Sequence, residues 1–116
     1  MHSEKYSTEN LMNVMQIYKV IVSNKASSDL DDIAKYIASI YRPDSGHKFV
    51  NKILGQLASL SYTAGIYKHS NYTIAKQIHP NAKTLSIVNH RWTVIFHTFD
   101  NFAIIDRIMP SKMIKE

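Results

Sequence analysis

The chain has no cysteine, and its 116 residues include only three glycines and three prolines. Without thiols there are no disulfides, thiolate metal sites or cysteine nucleophiles, and a reducing cytoplasm fits. So little glycine leaves no phosphate-cradling loop, and with so little proline long flexible linkers are not expected. No apolar run approaches the roughly 20 residues that span a bilayer. The opening MHSEKYSTENLMNVMQ lacks the continuous apolar core of a secretory leader. A serine-nucleophile triad has no supporting signature. These absences predict a soluble cytoplasmic protein with no membrane partner.

The composition itself is ordinary. A hydrophobic fraction of 45% and a charged fraction of 20% exclude collagen-like and wholly disordered chains. The length suits one domain with a real core. The charge is less ordinary: the formal net charge is +5 and the pI about 9.5. Such a domain is drawn to polyanions, whether nucleic acid, ribosome, anionic lipid or an acidic protein. The plainer alternative is a basic surface that only maintains solubility.

Residues 1–16 are polar and lack a convincing period, so they read as an extension that need not be ordered. IYKVIVS at 17–23 is rich in β-branched and aromatic residues and reads as a first strand, its near-continuous apolarity pointing to substantial burial. ASSDLDDIAKYIASIYR reads as a helix. Ser27 or Ser28 would cap it, and Asp29, Asp31 and Asp32 would lie in its first turn, where the helix dipole favours negative charge. Leu30, Ile33, Ala34, Ile37, Ile40 and Tyr41 would form one buried stripe, and Pro43 would end the helix. A second helix begins near Asp44 or Ser45, carries Phe49, Ile53, Leu57 and Leu60 at helical spacing, and fades around Thr63 to Gly65. The short connection makes the two an antiparallel hairpin.

After Tyr67 the pattern turns to strands. YTIAKQI is open between strand and irregular structure, and HPNAK is turn chemistry. TLSIVN, RWTVIFHTF and FAIIDRIM read as three strands, the last two joined at Asp100-Asn101. A short polar tail closes the chain at 113–116. The fold class predicted is α+β: an N-terminal strand, a helical hairpin, then antiparallel strands completing one sheet, with the helices on one face. If Asp100 and Asn101 form a two-residue turn, Phe99 faces Phe102, Phe96 faces Ile105 and His97 faces Ile104. The same register sets Ile95 against Asp106, Val94 against Arg107 and Trp92 against Met109, and a bulge would shift everything beyond it.

IYKVIVSNKASSDLDDIAKYIA resembles the opening of the RelE/ParE toxin superfamily, in which a strand ending in serine leads to a capped helix. RWTVIFHTFDNFAIIDRIM resembles the paired C-terminal strands of that group, and Lys83-Thr84-Leu85 the basic start of the strand before them. The resemblance covers roughly residues 17–112, taken as a single toxin-like domain. It implies a toxin of a bacterial toxin–antitoxin pair, with a cognate antitoxin as partner. Two mechanisms divide the superfamily. RelE-like members cleave mRNA on the ribosome with basic side chains and a proton-transferring group, whereas ParE-like members poison DNA gyrase.

Arg107-Ile108-Met109 resembles the end of the last strand in ParE-like toxins, although Pro110 and Ser111 stand where histidine and glycine often follow. The RelE-like pattern fits less well. Thr93, not arginine, follows Trp92, and Arg91 lies one position off, expected to face the other way. No tyrosine or histidine follows Arg107. The ParE-like reading is therefore favoured, with the mRNA endonuclease and a non-toxic basic binding module as alternatives. Whether the chain is an enzyme stays open; as a nuclease it would be metal-independent.

A nuclease would need a base, a proton donor and cations near the phosphate. His79, His90 and His97 could supply the base, with Lys76, Lys83, Arg91, Arg107 and Lys112 as cations. The catalytic candidates are Arg91, His97, Arg107 and Lys112. The candidates for binding target or antitoxin are Lys83, Arg91, Trp92, Arg107 and Lys112. A lone strand histidine is more often a hydrogen-bonded or surface residue. Arg107, in an otherwise apolar strand, needs a partner or a groove, since burial alone would be costly. The histidines lack metal-ligand clustering, so neither metal nor other cofactor is expected.

Overall fold

The computed structural model describes residues 17–114. The polar extension expected over 1–16 and the end of the tail, 115–116, lie outside them. β1 (Lys19–Val22) leads into two long helices, α1 (Asn24–Ile40) and α2 (Ser45–Ala58). A short helix α3 (Leu60–Thr63), a 3₁₀ turn (Ala64–Ile66) and another short helix α4 (Thr73–Ile78) follow. Three strands, β2 (Lys83–Ile87), β3 (Trp92–Phe99) and β4 (Phe102–Pro110), precede a final 3₁₀ turn (Ser111–Met113). The strands form one sheet in the order β1-β4-β3-β2. β1 runs parallel to β4, and the other neighbours are antiparallel. This is the α+β arrangement predicted from the sequence.

Four local expectations change. β1 is an edge strand whose exposure alternates along its length, not a deeply buried one. Its apolar run supplies one face to the core through Val20 and Val22 and leaves Ile21 partly in solvent. The cap of α1 is Ser23, whose Oγ accepts the Ala26 N–H at 3.1 Å, so the helix starts earlier than Ser27 or Ser28 would allow. Asp29, Asp31 and Asp32 consequently fall beyond the first turn, which holds no acidic residue. The buried stripe keeps Leu30, Ile33 and Ile37, but Ile40 and Tyr41 at its end are exposed. Finally, 73–78 is helical, and it packs on the sheet face away from the helical hairpin through Ala75, Ile74 and Ile78.

The main core lies between α1–α2 and the sheet. Leu30, Ile33, Ile53, Leu57 and Leu60 pack against Val94, Phe96, Ile105 and Ile108. Tyr67 meets Phe96 edge to face at a centroid distance of 5.7 Å. The second face carries a smaller cluster of Ala75, Ala82, Ile95 and Ile114.

The β3–β4 register holds near the turn, with Phe99 against Phe102, His97 against Ile104 and Phe96 against Ile105. Beyond Phe96 a bulge intervenes: Ile95 pairs with Arg107, Val94 with Ile108, Thr93 with Met109 and Trp92 with Pro110. Asp106 is the extra residue, and the expected pairs of Ile95, Val94 and Trp92 each slip by one. Strict alternation would put Ile105 and Ile108 on opposite faces. The bulge lets both enter the main core.

The helical hairpin depends on close approach at Gly46, which is buried. A Cβ there would overlap the carbonyl oxygen of Ala34 on α1. Gly46→Ala should therefore force the helices apart and cost about 1–3 kcal/mol, as overpacking does. Urea unfolding would measure it, and an unchanged midpoint would show that the hairpin is not close-packed at that point.

Candidate functional site

The candidate residues separate into those the fold engages internally and those it leaves facing a groove. Arg107 belongs to the first group. Its Nε and Nη2 donate to the two carboxylate oxygens of Asp29 on α1, at 2.8 and 3.0 Å. The Ile108 backbone N–H donates to the same carboxylate at 2.8 Å. The edge of β4 beyond the end of β1 is thus satisfied by a helix side chain. The Asp29 hydrogen bond raises the Arg107 pKa further, so its charge is fixed at all accessible pH.

Lys83 is also drawn inward. It is buried, not displayed to a partner, and its Nζ donates to the Ala64 carbonyl at 3.1 Å. Burial pushes its pKa down. The ammonium closes the C-terminal end of the α3 segment, where free carbonyls favour a cation. His97 is engaged on the other face. Its Nδ1 lies 2.7 Å from Asp106 Oδ2, and its ring stacks on that of His79 at 3.7 Å, nearly parallel at 7°. Two rings in face-to-face contact leave no gap for a phosphate between them. This pair is therefore a poor acid–base couple for RNA cleavage. Among the described residues no group of histidines and carboxylates could hold a metal ion.

The second group meets in a groove of about 1380 Å³ between the helical hairpin and the Trp92–Pro110 end of the sheet. Tyr36, Ile37, Ile40 and Phe49 line it from the helices, and Trp92 and Pro110 from the strands. Arg42, Lys48, Lys52, Arg91 and Lys112 bring positive charge to it, and among the described residues none of its lining is acidic. Asp44 stands nearby and approaches Arg42 at 3.8 Å and Lys48 at 3.4 Å, but all three side chains are well exposed, so these pairs contribute little. Arg91, Trp92 and Lys112 are the sequence candidates that converge here. Arg91 was expected to face away from Trp92, but it lies in the turn before β3, where strand alternation does not apply.

Sequence reasoning missed the contributions of Arg42, Lys48 and Lys52. The signal was available, since Lys48 and Lys52 are four residues apart on one helix and share a side of it. It also missed the turn itself. Val88, Asn89 and His90 all have left-handed φ values, 48°, 56° and 63°. Consecutive left-handed residues without glycine are strained, by an order of 1–3 kcal/mol each. The turn is held by Gln56 Oε1, which accepts the Val88 N–H at 3.2 Å, and by Arg91, whose carbonyl accepts the Ser111 N–H at 2.9 Å. It carries His90 and Arg91 to the groove.

No protein-family model matches the chain, and no curated protein matches it in sequence. Solved structures do match. A chain of the chromosomal ParDE TA system from P. aeruginosa aligns with a TM-score of 0.69, covering 81% of this chain and 96% of that one, at 21% identity. The fold implied by the RelE/ParE resemblance is the fold found. No helix among the described residues is long and apolar enough to cross a membrane.

Asp29→Ala should destabilise the protein by about 2–3 kcal/mol, the low end for breaking a paired charge, because Arg107 keeps some solvent contact. Asp29→Asn should cost less, since its side-chain oxygen can still accept the Ile108 N–H. Chemical denaturation of both variants tests the order. Equal losses would show that the backbone bond contributes nothing.

Proposed function

We propose that this chain is the toxin of a type II toxin–antitoxin pair, of ParE-like type, which arrests growth by binding a macromolecular target such as DNA gyrase and is neutralised by a cognate antitoxin. One observation carries the reading: the shared fold presents a large groove with apolar walls and a wholly cationic charge set. Such a groove suits an acidic partner with apolar anchors, because the walls supply burial and the rim supplies steering. Arg91, Trp92 and Lys112 are the residues assigned to partner binding. Arg107 acts behind them by fixing the end of β4 through Asp29.

A second reading, the ribosome-dependent mRNA endonuclease, draws support from His90, which lines the same groove beside Arg91 and Lys112. A base and two cations in one cleft are the minimum such chemistry needs. Arg107 and His97 do not favour it, being engaged with Asp29 and Asp106.

Induced expression in a bacterium, with growth and mRNA 5′ ends followed together, separates the two. Growth arrest with intact mRNA is the expected result, and new 5′ ends within translated codons would favour the nuclease. The double variant Arg91→Glu/Lys112→Glu should lose arrest and weaken antitoxin binding at least tenfold, about 1.4 kcal/mol, while keeping its unfolding midpoint. Full arrest by this folded variant would remove the groove from the proposal.

A further inference from the structure

The second face of the sheet carries a feature that neither reading of the groove uses. Helix α4 and the residues after it lie across this face, held by the small cluster of Ala75, Ala82, Ile95 and Ile114, with only the half-buried Ile74, Ile78 and Met109 packed against it. Few apolar contacts make a segment a low-stability unit, one that opens without global unfolding. The segment is also stitched to itself: the Ser70 N–H donates to the Ala82 carbonyl at 2.7 Å, and the Ala82 N–H to the His79 carbonyl at 3.0 Å. His79 is the C-cap of α4, with its ring against His97.

We propose that the His79–His97 stack, braced by Asp106, is a proton-operated latch that holds the segment 70–82 over the second sheet face and releases it in acid. The chemistry follows from one hydrogen bond. The Asn81 N–H donates to His79 Nδ1 at 3.0 Å, so Nδ1 carries the lone pair and the ring is neutral in the closed state. An arriving proton has only that nitrogen to occupy. It removes the acceptor from Asn81 and places a positive charge on a ring stacked 3.7 Å from His97.

The ionisable groups facing His79 across the sheet are His97 on β3 and Asp106 on β4, and Lys76 lies in the last turn of its own helix. Burial lowers the His79 pKa most, His97 lowers it further, and Asp106 offsets part of the effect. A folded-state pKa below the ordinary histidine value means that the open segment binds the proton more tightly than the closed one. The latch is therefore fully set above about pH 6.5 and weakens as pH falls below that value. The device is independent of the toxin reading, and Lys76, Pro80 and Asn81, all exposed, leave the segment free to swing outward.

Backbone amide exchange, corrected for its intrinsic pH dependence, tests this on the full chain. Between about pH 7.5 and about pH 5, amides of 75–82 should lose protection, by at most tenfold per pH unit between the ordinary histidine pKa of the open segment and the lowered one of the closed segment, while those of β3 and β4 keep theirs. His79→Phe retains an aromatic ring for the stack and cannot take a proton. Its exchange should be flat with pH. A flat response in the unmodified protein, the same response in His79→Phe, or equal loss across β3 and β4 would overturn the proposal. Should His79→Phe fail to fold, NMR titration of the unmodified chain decides. The Asn81 amide must shift with the midpoint of the His79 ring, and a different midpoint would refute the latch.

Discussion

The carboxylate of Asp29 is the point on which the architecture turns. It accepts two guanidinium N–H bonds from Arg107 and the backbone N–H of Ile108, and so joins the first helix to the last strand. Where β1 stops pairing at Ile105, β4 would otherwise leave backbone carbonyls and an N–H without partners. Ser23 and Asp29 take over: Ser23 N donates to the Ile105 carbonyl and its Oγ to that of Asp106. The bulge at Asp106 follows from the same region. It sends Asp106 to His97 on one face and restores Ile108 to the core on the other, with Arg107 turned towards α1.

The fold thereby sorts its charges. Arg107 and Lys83 lie in places where an unpaired charge would be expensive, and each has a defined partner, as the His97 ring has in Asp106. Arg91 and Lys112 carry no such obligation and line the groove with Lys48 and Lys52. Among the described residues no buried side-chain polar atom lacks a hydrogen-bond partner. The cations that line the groove are thus not among the charges the fold engages internally.

Much of this was legible in the sequence because the relevant signals are local. Leu30, Ile33 and Ile37 announce a helix by spacing, and Asp100-Asn101 announces the hairpin. The cap at Ser23 was hidden because Asn24 and Lys25 carry no apolar period, although the backbone already turns there. Thr73–Ile78 is too short for periodicity to tell a helix from a strand. The bulge, the pairing of Asp29 with a residue 78 positions away and the burial of Lys83 are tertiary facts with no local signature. The groove was half visible: Arg91, Trp92 and Lys112 stood out, but that α2 faces them depends on how the hairpin docks.

The parallel pairing of β1 with β4 has a consequence for how the protein comes into being. β4 lies between β1 and β3, so the sheet cannot close until the last strand of the described region is available. During synthesis the helical hairpin can form early from its own short-range contacts, whereas β1 must wait as an unpaired strand, with Asp29 lacking its arginine. The groove needs both the hairpin and the Trp92–Pro110 end of the sheet. The groove is therefore assembled in one late step, once β4 is available to join β1 to β3.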